Sequence, residues 1–407
     1  MKGFKRSILG LAIGAAIGFT GAANAQISDN VIKIGVLSDM SSLYTDLAGA
    51  GSVVAAKMAV EDSGIEKRGY KVEIVSADHQ NKPDVGSGIA RQWYDTDKVD
   101  VIVDVPNSGV ALAVNQITKE KGKAFLASGP GTSDLSGKAC SPNTIHWAYD
   151  TWMLANGTGT AITKAGGDTW FFITADYAFG AALERDTTAA VIKNGGKVVG
   201  GVKAPLNNQD FSSFLLQAQA SKAKIIGLAN AGGDTTNSIK QAAEFGITKG
   251  GQKLAGLLVF LTDIHALGLP TAQGLTFTET FYWDMNDQTR AFAKRFQALD
   301  KGIYPTMVHA GVYSSLLHYF KAVEALKSDD GTKVIAKMKE MPTDDPLFGK
   351  GTVRADGRKI HPAYLVQVKT PAESKYPWDY YKIIATIPGD QAFRPIDQGD
   401  CSLVAKK

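Results

Sequence analysis

Short apolar runs alternate with longer stretches of helical periodicity along most of the chain. The first strand is predicted at 31–37 and the first helix at 52–63, where Val53, Ala56 and Val60 recur three or four residues apart. The run 101–103 is apolar at every position, which is typical of a parallel strand covered by helices on both faces. The pattern therefore predicts an α/β fold with mostly parallel sheets.

The alternation occurs in two series, and each has the pattern of a Rossmann-like lobe. In the first series the predicted strands are 31–37, 72–76, 99–105 and 124–126, and the predicted helices are 52–63, 85–94 and 110–121. In the second series the predicted helices are 152–164, 180–194, 211–221 and 236–245, and the predicted strands are 170–174, 197–203, 225–229, 257–260 and 275–281. Helices then dominate from 289 to 338, before the chain becomes rich in strands again.

Late helices in such a chain most economically complete the first lobe, and the last strands then return to the second. We therefore expect an N-terminal lobe of residues 26–146 and 283–350 and a C-terminal lobe of residues 147–282 and 351–407. The chain would cross between the lobes three times. This topology predicts a three-segment hinge with a cleft beside it.

The first 25 residues have the features of a secretory signal peptide. Three basic residues lie within the first six positions, an uncharged apolar run follows at 8–19, and the small residues Ala-Asn-Ala occupy 23–25. The apolar run is too short for a membrane helix, which needs about 20 apolar residues. We expect cleavage after Ala25 and an exported protein.

Composition and motifs narrow the function. The 407 residues are 44% hydrophobic and 21% charged, as in globular proteins, and 44 basic against 40 acidic residues give a net charge of +4 without clusters, which argues against a nucleic-acid partner. The sequence has no phosphate loop, no dinucleotide fingerprint, no nucleophile elbow at Ser108 and no histidine pair at helical spacing. We therefore predict no catalytic residue, cofactor or metal site, and a binding protein rather than an enzyme.

Cys140 and Cys401 are the only cysteines, which excludes a zinc or iron–sulfur site built from cysteine. Export to an oxidising compartment favours a disulfide between them. Two separate buried thiols are the alternative.

Several segments occur in an order that points to a family. Residues 34–41 (IGVLSDMS) and 49–62 form a strand, loop and helix, 76–84 (SADHQNKPD) contains D-x-x-x-x-P, 176–180 (DYAFG) ends in an aromatic residue and glycine, and 210–212 is D-F-S. Together they resemble the leucine/isoleucine/valine-binding proteins of bacterial ABC importers over essentially the whole mature chain. The resemblance implies a type I periplasmic binding protein, whose lobes close around a solute and deliver it to an ABC permease of the inner membrane.

The resemblance also implies an anion site. In that family, a serine at the start of the helix after the third strand and a threonine in the loop after the fourth strand hold the ligand's carboxylate; here these positions are Ser108 and Thr132, with Pro130 and Gly131 in the same loop. A helix start suits an anion because it presents free N–H groups and the positive end of the helix dipole. The alternative is that Ser108 only caps its helix and that the loop is an ordinary turn.

Aromatic residues are expected to line the rest of the site. Phe179, and with it Tyr177, occupies the family's ring-stacking position, although packing in the core is the alternative. Tyr44 lies in a first loop that differs from the family's archetype. With Tyr282 and Trp283 near a crossing between the lobes, it would line a flat apolar pocket that suits aromatic carboxylates as well as branched-chain amino acids. Packing in the core or at the hinge is the alternative.

Three polar residues complete the predicted contacts. Asn230 begins a loop that commonly touches ligand in the family, and a glycine turn is its alternative role. Thr262 and Asp263 lie near the carboxylate that pairs with a ligand ammonium in amino-acid binders, but Asp263 equally suits the cap of a helix at 264–267.

We therefore expect the periplasmic component of a branched-chain-amino-acid-type importer. Its ligand would be a small carboxylate, either an amino acid or an aromatic or aliphatic acid. A ligand sensor for a receptor and, with less support, an exported hydrolase are the alternatives.

Overall fold

A computed structural model describes residues 27–405, so the predicted signal peptide at 1–25 lies outside the described residues. The strands are β1 (Ile32–Ser38), β2 (Val72–Asp78), β3 (Val101–Asp104), β4 (Ala124–Ala127), β5 (Thr144–His146), β6 (Thr169–Ala175), β7 (Lys197–Ala204), β8 (Ile225–Ala229), β9 (Lys253–Gly256), β10 (Thr276–Glu279), β11 (Thr343–Asp345), β12 (Gly349–Val353), β13 (Lys359–Ile360), β14 (Ala363–Val368) and β15 (Tyr381–Ile387). The helices are α1 (Gly49–Ser63), α2 (Pro83–Asp95), α3 (Ser108–Lys121), α4 (Thr151–Leu154), α5 (Thr160–Lys164), α6 (Ala178–Lys193), α7 (Ser212–Ala220), α8 (Gly233–Glu244), α9 (Leu261–Leu267), α10 (Leu269–Ala272), α11 (Asp287–Leu299), α12 (Met307–Leu326), α13 (Gly331–Glu340) and α14 (Gly389–Ala392). Between residues 27 and 405, no helix has the length and hydropathy that crossing a membrane requires.

The first sheet has the strand order β2-β1-β3-β4-β5, and all of its strand pairs are parallel. The central strands β3 and β4 are buried at every residue, which explains their unbroken apolar runs. The late helices belong to the same layer structure, since α12 packs against α1 and α13 packs against α12. The chain therefore returns to the first sheet after it has built the second.

The second lobe combines two sheets. The parallel sheet has the order β7-β6-β8-β9, and an antiparallel sheet has the order β10-β14-β15. A further small antiparallel sheet, β11-β12-β13, follows the late helices. The predicted fold of two lobes with mostly parallel sheets flanked by helices is confirmed. The antiparallel sheet was not predicted, because β10 and β14 are far apart in the sequence and no local pattern indicates their pairing.

One predicted strand is wrong. The strand expected at 257–260 lies earlier, at Lys253–Gly256, and 257–260 forms the connection that follows it. All four residues of this connection are buried, two of them, Leu258 and Phe260, in the pocket described below. The run is apolar because of this burial and not because of sheet pairing.

One predicted helix is interrupted. The helix expected at 152–164 consists of α4 and α5, joined by the π-helical segment Ala155–Gly159. Gly157 in this segment packs closely on β10, because a Cβ atom there would lie 2.2 Å from Thr278 Oγ1. The glycine therefore allows a close approach that a larger residue would prevent.

Two buried cations join the segments that pass between the lobes. Arg358 forms an ion pair with Asp150 at 3.4 Å, and Lys359 forms one with Asp345 at 3.3 Å. Lys359 also lies over the ring of Trp147, 4.7 Å from its centroid. Burial lowers the pKa of Arg358 to about 10 and that of Lys359 to about 8. These pairs mark the crossover region, while the predicted lobe boundaries stay a prediction.

Cys140 and Cys401 form a disulfide, as expected, and are not two separate thiols. The bond ties the C-terminal segment to the loop that follows β4. Arg394 strengthens this attachment, since its Nη2 donates to the carbonyl oxygen of Ser133 at 2.9 Å. The segment 394–401, expected in the C-terminal lobe, therefore packs on residues 133–140.

Candidate functional site

Ser108 and Thr132 lie together just beyond the carboxyl ends of β3 and β4. Asn107 caps α3, because its Oδ1 accepts from the N–H groups of Gly109 at 2.9 Å and Val110 at 3.1 Å. Ser108 is therefore not the cap, and its Oγ instead accepts from the N–H group of Thr132 at 3.2 Å. Both residues are fully buried. The structure thus brings together the two residues predicted to hold an anion.

Two side chains hold the loop 128–132 in place through hydrogen bonds to its backbone carbonyl groups. The Nε2 atom of His146 lies 2.7 Å from the carbonyl oxygen of Pro130, and the hydroxyl of Tyr149 donates to the carbonyl oxygen of Gly129 at 2.5 Å. Burial lowers the pKa of His146 well below its ordinary value, so the ring stays neutral. Pro130 therefore acts in the loop through its backbone, which holds the predicted anion site in place.

The walls of the interlobe pocket are apolar and mostly aromatic. The lining residues come from both lobes and carry no formal charge: Tyr44, Leu47, Pro106, Tyr149, Tyr177, Phe179, Ala231, Leu258 and Phe260. Gly131 borders them, and a Cβ atom there would lie 2.7 Å from the ring of Phe179. The cavity between the walls is about 10 Å³, close to one water molecule in size. Entry of a ligand therefore requires the walls to move apart.

Tyr44 and Tyr177 close one end of the pocket. Their hydroxyl oxygens lie 2.6 Å apart, in a hydrogen bond between the lobes. Asp39 shapes the loop that presents Tyr44, because its carboxylate accepts from the N–H groups of Ser42 at 2.9 Å and of Tyr44 at 2.8 Å. Burial raises the pKa of both phenols above the ordinary value, so both hydroxyls stay protonated.

Asn230 lies beside the pocket and turns its side chain away from it. Its Oδ1 accepts from the hydroxyl of Thr235 at 2.8 Å, and its Nδ2 donates to Ser238 Oγ at 3.1 Å. The side chain thus holds the start of α8 in place. The next residue, Ala231, lines the pocket instead.

Asp263 and Thr262 also lie outside the lining of the pocket. Oδ2 of Asp263 accepts from the N–H group of Phe260 at 2.8 Å, across the start of α9. Burial, with a smaller contribution from the carboxylate of Asp46, raises the pKa of Asp263 to about 7. The hydroxyl of Thr262 has no hydrogen-bond partner among the described residues. Their contact with ligand stays a prediction.

Sequence reasoning missed six of the lining residues, which are Leu47, Pro106, Tyr149, Ala231, Leu258 and Phe260. Pro106 lies shortly after the carboxyl end of β3, and Ala231 lies shortly after that of β8. Both could have been found by the rule that ligands bind beyond the carboxyl ends of parallel strands. Tyr149 and Phe260 offered no such signal. They lie in connections whose paths depend on the arrangement of the two lobes.

A second contact between the lobes is polar and centres on Asp186 of α6. Its Oδ2 accepts from the hydroxyls of Ser133 at 2.7 Å and Thr151 at 2.6 Å. Its Oδ1 accepts from Arg185 Nε at 2.9 Å, and the same guanidinium reaches Asp134 at 3.0 Å. We call these five residues the Asp186 network. Since Ser133 directly follows the loop 128–132, the network connects the anion site to the second lobe.

A larger groove of about 770 Å³ lies near the amino ends of β8 and β9. Its lining comes from the second lobe and includes Lys224 and Lys253, and Lys224 pairs with Asp168 at 2.8 Å. Closure of the lobes would not enclose this groove, so the smaller interlobe pocket is the better candidate. In the described part of the chain, no three His, Cys, Asp or Glu side chains converge to hold a metal ion.

Known proteins share this architecture. Residues 31–375 match a family model described as periplasmic binding protein. A periplasmic binding protein from Burkholderia mallei is 52% identical, with a TM-score of 0.90 over 92% of this chain and 99% of that chain. A branched chain amino acid ABC transporter periplasmic ligand-binding protein from Burkholderia xenovorans is 42% identical, with a TM-score of 0.81 over 91% of this chain and 99% of that chain. A solute binding protein of an ABC transporter from R. palustris, solved in complex with benzoate, is 21% identical, with a TM-score of 0.80 over 91% of this chain and 99% of that chain.

Proposed function

We propose that this chain, which belongs to the periplasmic binding protein family of branched-chain amino acid ABC transporters, traps a small carboxylate between its lobes. The resemblance to that family is confirmed by these relatives. The observation that carries the proposal is the contact of Ser108, at the start of α3, with Thr132, in the loop after β4. Neither residue lines the apolar pocket between the lobes, but Pro106 lines it and Gly131 borders it.

The pair offers two hydroxyl donors to an anion. Ser108 Oγ accepts from the N–H group of Thr132, and Thr132 Oγ1 accepts from the N–H group of Asp134 at 3.4 Å. Neither hydroxyl hydrogen has an acceptor within residues 27–405. Each is therefore free to donate to a carboxylate, next to the positive end of a helix of 14 residues. Hydrogen bonds to a charged group contribute about 1.5–3 kcal/mol each.

The walls favour an aromatic or aliphatic acid over an α-amino acid. An ammonium group loses its hydration in the closed pocket and needs an acceptor or a carboxylate in return. The lining residues supply no carboxylate, and Asp263 already accepts from the N–H group of Phe260. The R. palustris protein of the same fold holds benzoate, which supports an aromatic carboxylate as the ligand.

Import completes the proposal. The chain would act in the periplasm after cleavage behind Ala25, bind its ligand without converting it, and present the closed lobes to a membrane permease. A ligand stabilises the closed form only through its additional affinity for that form, so contacts from both lobes are required. Thr132 with Tyr44 on one lobe and Phe179 with Tyr177 on the other meet this requirement.

Calorimetric titration with benzoate and with leucine tests the proposal. We expect benzoate to bind more tightly than leucine, and the double variant Ser108→Ala/Thr132→Ala to bind benzoate at least tenfold more weakly, since it lacks both hydroxyl donors. Ser315→Ala is the control, because it removes a buried serine hydroxyl of α12 that donates to the carbonyl oxygen of Val312. Equal benzoate affinity in the double variant and the wild type would show that the anion site is elsewhere.

A further inference from the structure

The hydroxyl groups of Tyr44 and Tyr177 close one end of the pocket, and together they have one hydrogen-bond donor that their mutual bond does not use. Each phenol carries one O–H group. Only one of the two hydrogens can lie in the bond between Tyr44 and Tyr177, whose oxygens are 2.6 Å apart. Neither hydroxyl has another hydrogen-bond partner among residues 27–405. The second hydrogen therefore lacks a protein acceptor in the described structure.

The surroundings of the pair leave this donor without an obvious protein partner. Asp234 is the nearby acidic group, since its charge raises the pKa of both phenols. Its two carboxylate oxygens already accept from the N–H groups of Asn207 at 3.1 Å and Asn208 at 2.9 Å. Tyr44 is buried and Tyr177 is half-buried, so the spare donor is partly shielded from water. A ligand atom that accepts this hydrogen bond would therefore be favoured.

The spare donor and the loop that contains Thr132 border the same pocket. Gly131, next to Thr132, contacts the ring of Phe179. The centroid of that ring lies 6.0 Å from the centroid of the Tyr177 ring. Phe179 therefore lies between the loop that contains Gly131 and the ring of Tyr177, so that one ligand could reach both the loop and the two tyrosines.

We infer that Tyr44 and Tyr177 together recognise an oxygen substituent on the ligand, so that the site selects a carboxylate that also carries a hydroxyl or a similar acceptor. A hydroxylated aromatic acid has this chemistry. The inference rests on the proposed function, because it assumes that the carboxylate lies at Ser108 and Thr132. On binding, the ligand oxygen accepts a hydrogen bond from the spare hydroxyl hydrogen. Where the ligand group is a hydroxyl, its hydrogen can donate to the oxygen of the other phenol.

Two ligands of nearly equal size test the inference, namely 4-hydroxybenzoate and 4-methylbenzoate, titrated calorimetrically into the full mature chain. We expect the wild type to bind 4-hydroxybenzoate at least tenfold more tightly, because the methyl analogue leaves the donor unpaired. In Tyr44→Phe and in Tyr177→Phe, the preference should fall to threefold or less. Tyr319→Phe is the matched control, since it removes a buried hydroxyl in α12 that has no partner among the described residues. It should keep the full preference.

The outcomes separate the inference from the proposed function. If the wild type binds both acids equally, or if both phenylalanine variants keep the tenfold preference, the inference is overturned while carboxylate binding stands. If the wild type binds neither acid nor benzoate, the proposed ligand class fails and the inference fails with it. Thermal unfolding of each variant shows whether it is folded, and each of the two positions gives the test independently of the other.

Discussion

Two of the regions where the lobes meet have opposite character, the apolar pocket and the Asp186 network. The pocket is formed by aromatic and aliphatic side chains, with the hydrogen bond between Tyr44 and Tyr177 at one end. In the network, Asp186 accepts hydrogen bonds from Ser133, Thr151 and Arg185. Apolar contacts are non-directional, whereas hydrogen bonds impose distances and angles. Under the proposed function, the pocket would select the ligand and the network would set how the lobes fit together.

One buried aspartate belongs to the Asp186 network and another, Asp104, lies against the loop 128–132, and the two differ in their partners. Both oxygens of Asp186 are hydrogen-bonded. Asp104, below the anion loop, accepts from Ser38 Oγ at 2.7 Å through Oδ2, while its Oδ1 faces Gly129 and has no partner among the described residues. Asp104 and Val105 also have φ angles of 77° and 60°, which are strained for residues other than glycine. Unfavourable geometry therefore concentrates beside the anion site, as is common at binding sites.

Removal of the disulfide should have the largest effect, and it should act on stability rather than on selectivity. The bond connects residues 261 apart and secures the loop that leads into the Asp186 network. We expect Cys140→Ser/Cys401→Ser to lower the free energy of unfolding by about 2–5 kcal/mol. Urea unfolding measures this loss, and wild type treated with a reductant is the control. An unchanged midpoint with an intact m-value would contradict the role of the bond.

Asp104 should make stability depend on pH in an unusual direction. Burial raises its pKa to about 7, against about 4 in an unfolded chain. Between pH 4 and pH 7 the folded state thus holds a proton that the unfolded state has released, so this group lowers the free energy of unfolding as the pH rises. Asp104→Asn removes this pH dependence. The free energy of unfolding of the variant minus that of the wild type should therefore increase by on the order of 3 kcal/mol between pH 4 and pH 8.

Urea unfolding of both proteins across this range measures the difference. Taking the difference cancels the opposing contribution of His79 and His309, whose pKa burial lowers to about 4. Asp176→Asn is the matched control, because Asp176 is exposed and forms a surface pair with Lys203. A stability difference for Asp104→Asn that does not change with pH would mean that the carboxyl is ionised in the folded state throughout.

Asp186→Ala should weaken the binding of every ligand by a similar factor. The change removes the acceptor for Ser133 and Thr151 and leaves Arg185 without this partner, which destabilises the contact between the lobes. We expect affinities for benzoate and 4-hydroxybenzoate to fall together, by roughly 10- to 100-fold. Asp176→Ala on the same lobe serves as the exposed control. A change in the ratio of the two affinities would show that the network takes part in selection.

Gly131→Ala should have the smallest of these effects and act on the pocket. The added methyl group would lie 2.7 Å from Phe179 and 3.1 Å from Tyr149, so the aromatic wall must shift. We expect benzoate affinity to fall about tenfold, with a smaller loss for a slimmer aliphatic acid such as hexanoate. Gly88→Ala is the control, because a Cβ atom there has no neighbour within 4 Å. Equal losses for both acids would argue that residue 131 does not border the ligand.

The parts of the fold and site that follow from the sequence are those with local signals. Continuous apolar runs predicted the parallel strands, and the order of short segments predicted the family and, with it, the pair Ser108 and Thr132. The apolar run 257–260 misled the prediction because pocket residues are as apolar as strand residues. The hydrogen bond of Tyr44 with Tyr177 depends on how the two lobes meet, and that arrangement has no local signature.

The central claim is that an unconverted carboxylate lies between the lobes, on Ser108 and Thr132. A crystal structure of the mature chain grown with benzoate tests it most directly. We expect the carboxylate within hydrogen-bond distance of both hydroxyls and the ring between Tyr149 and Phe179. Benzoate found only in the groove beside Lys224 and Lys253, or chemically altered between the lobes, would contradict the claim.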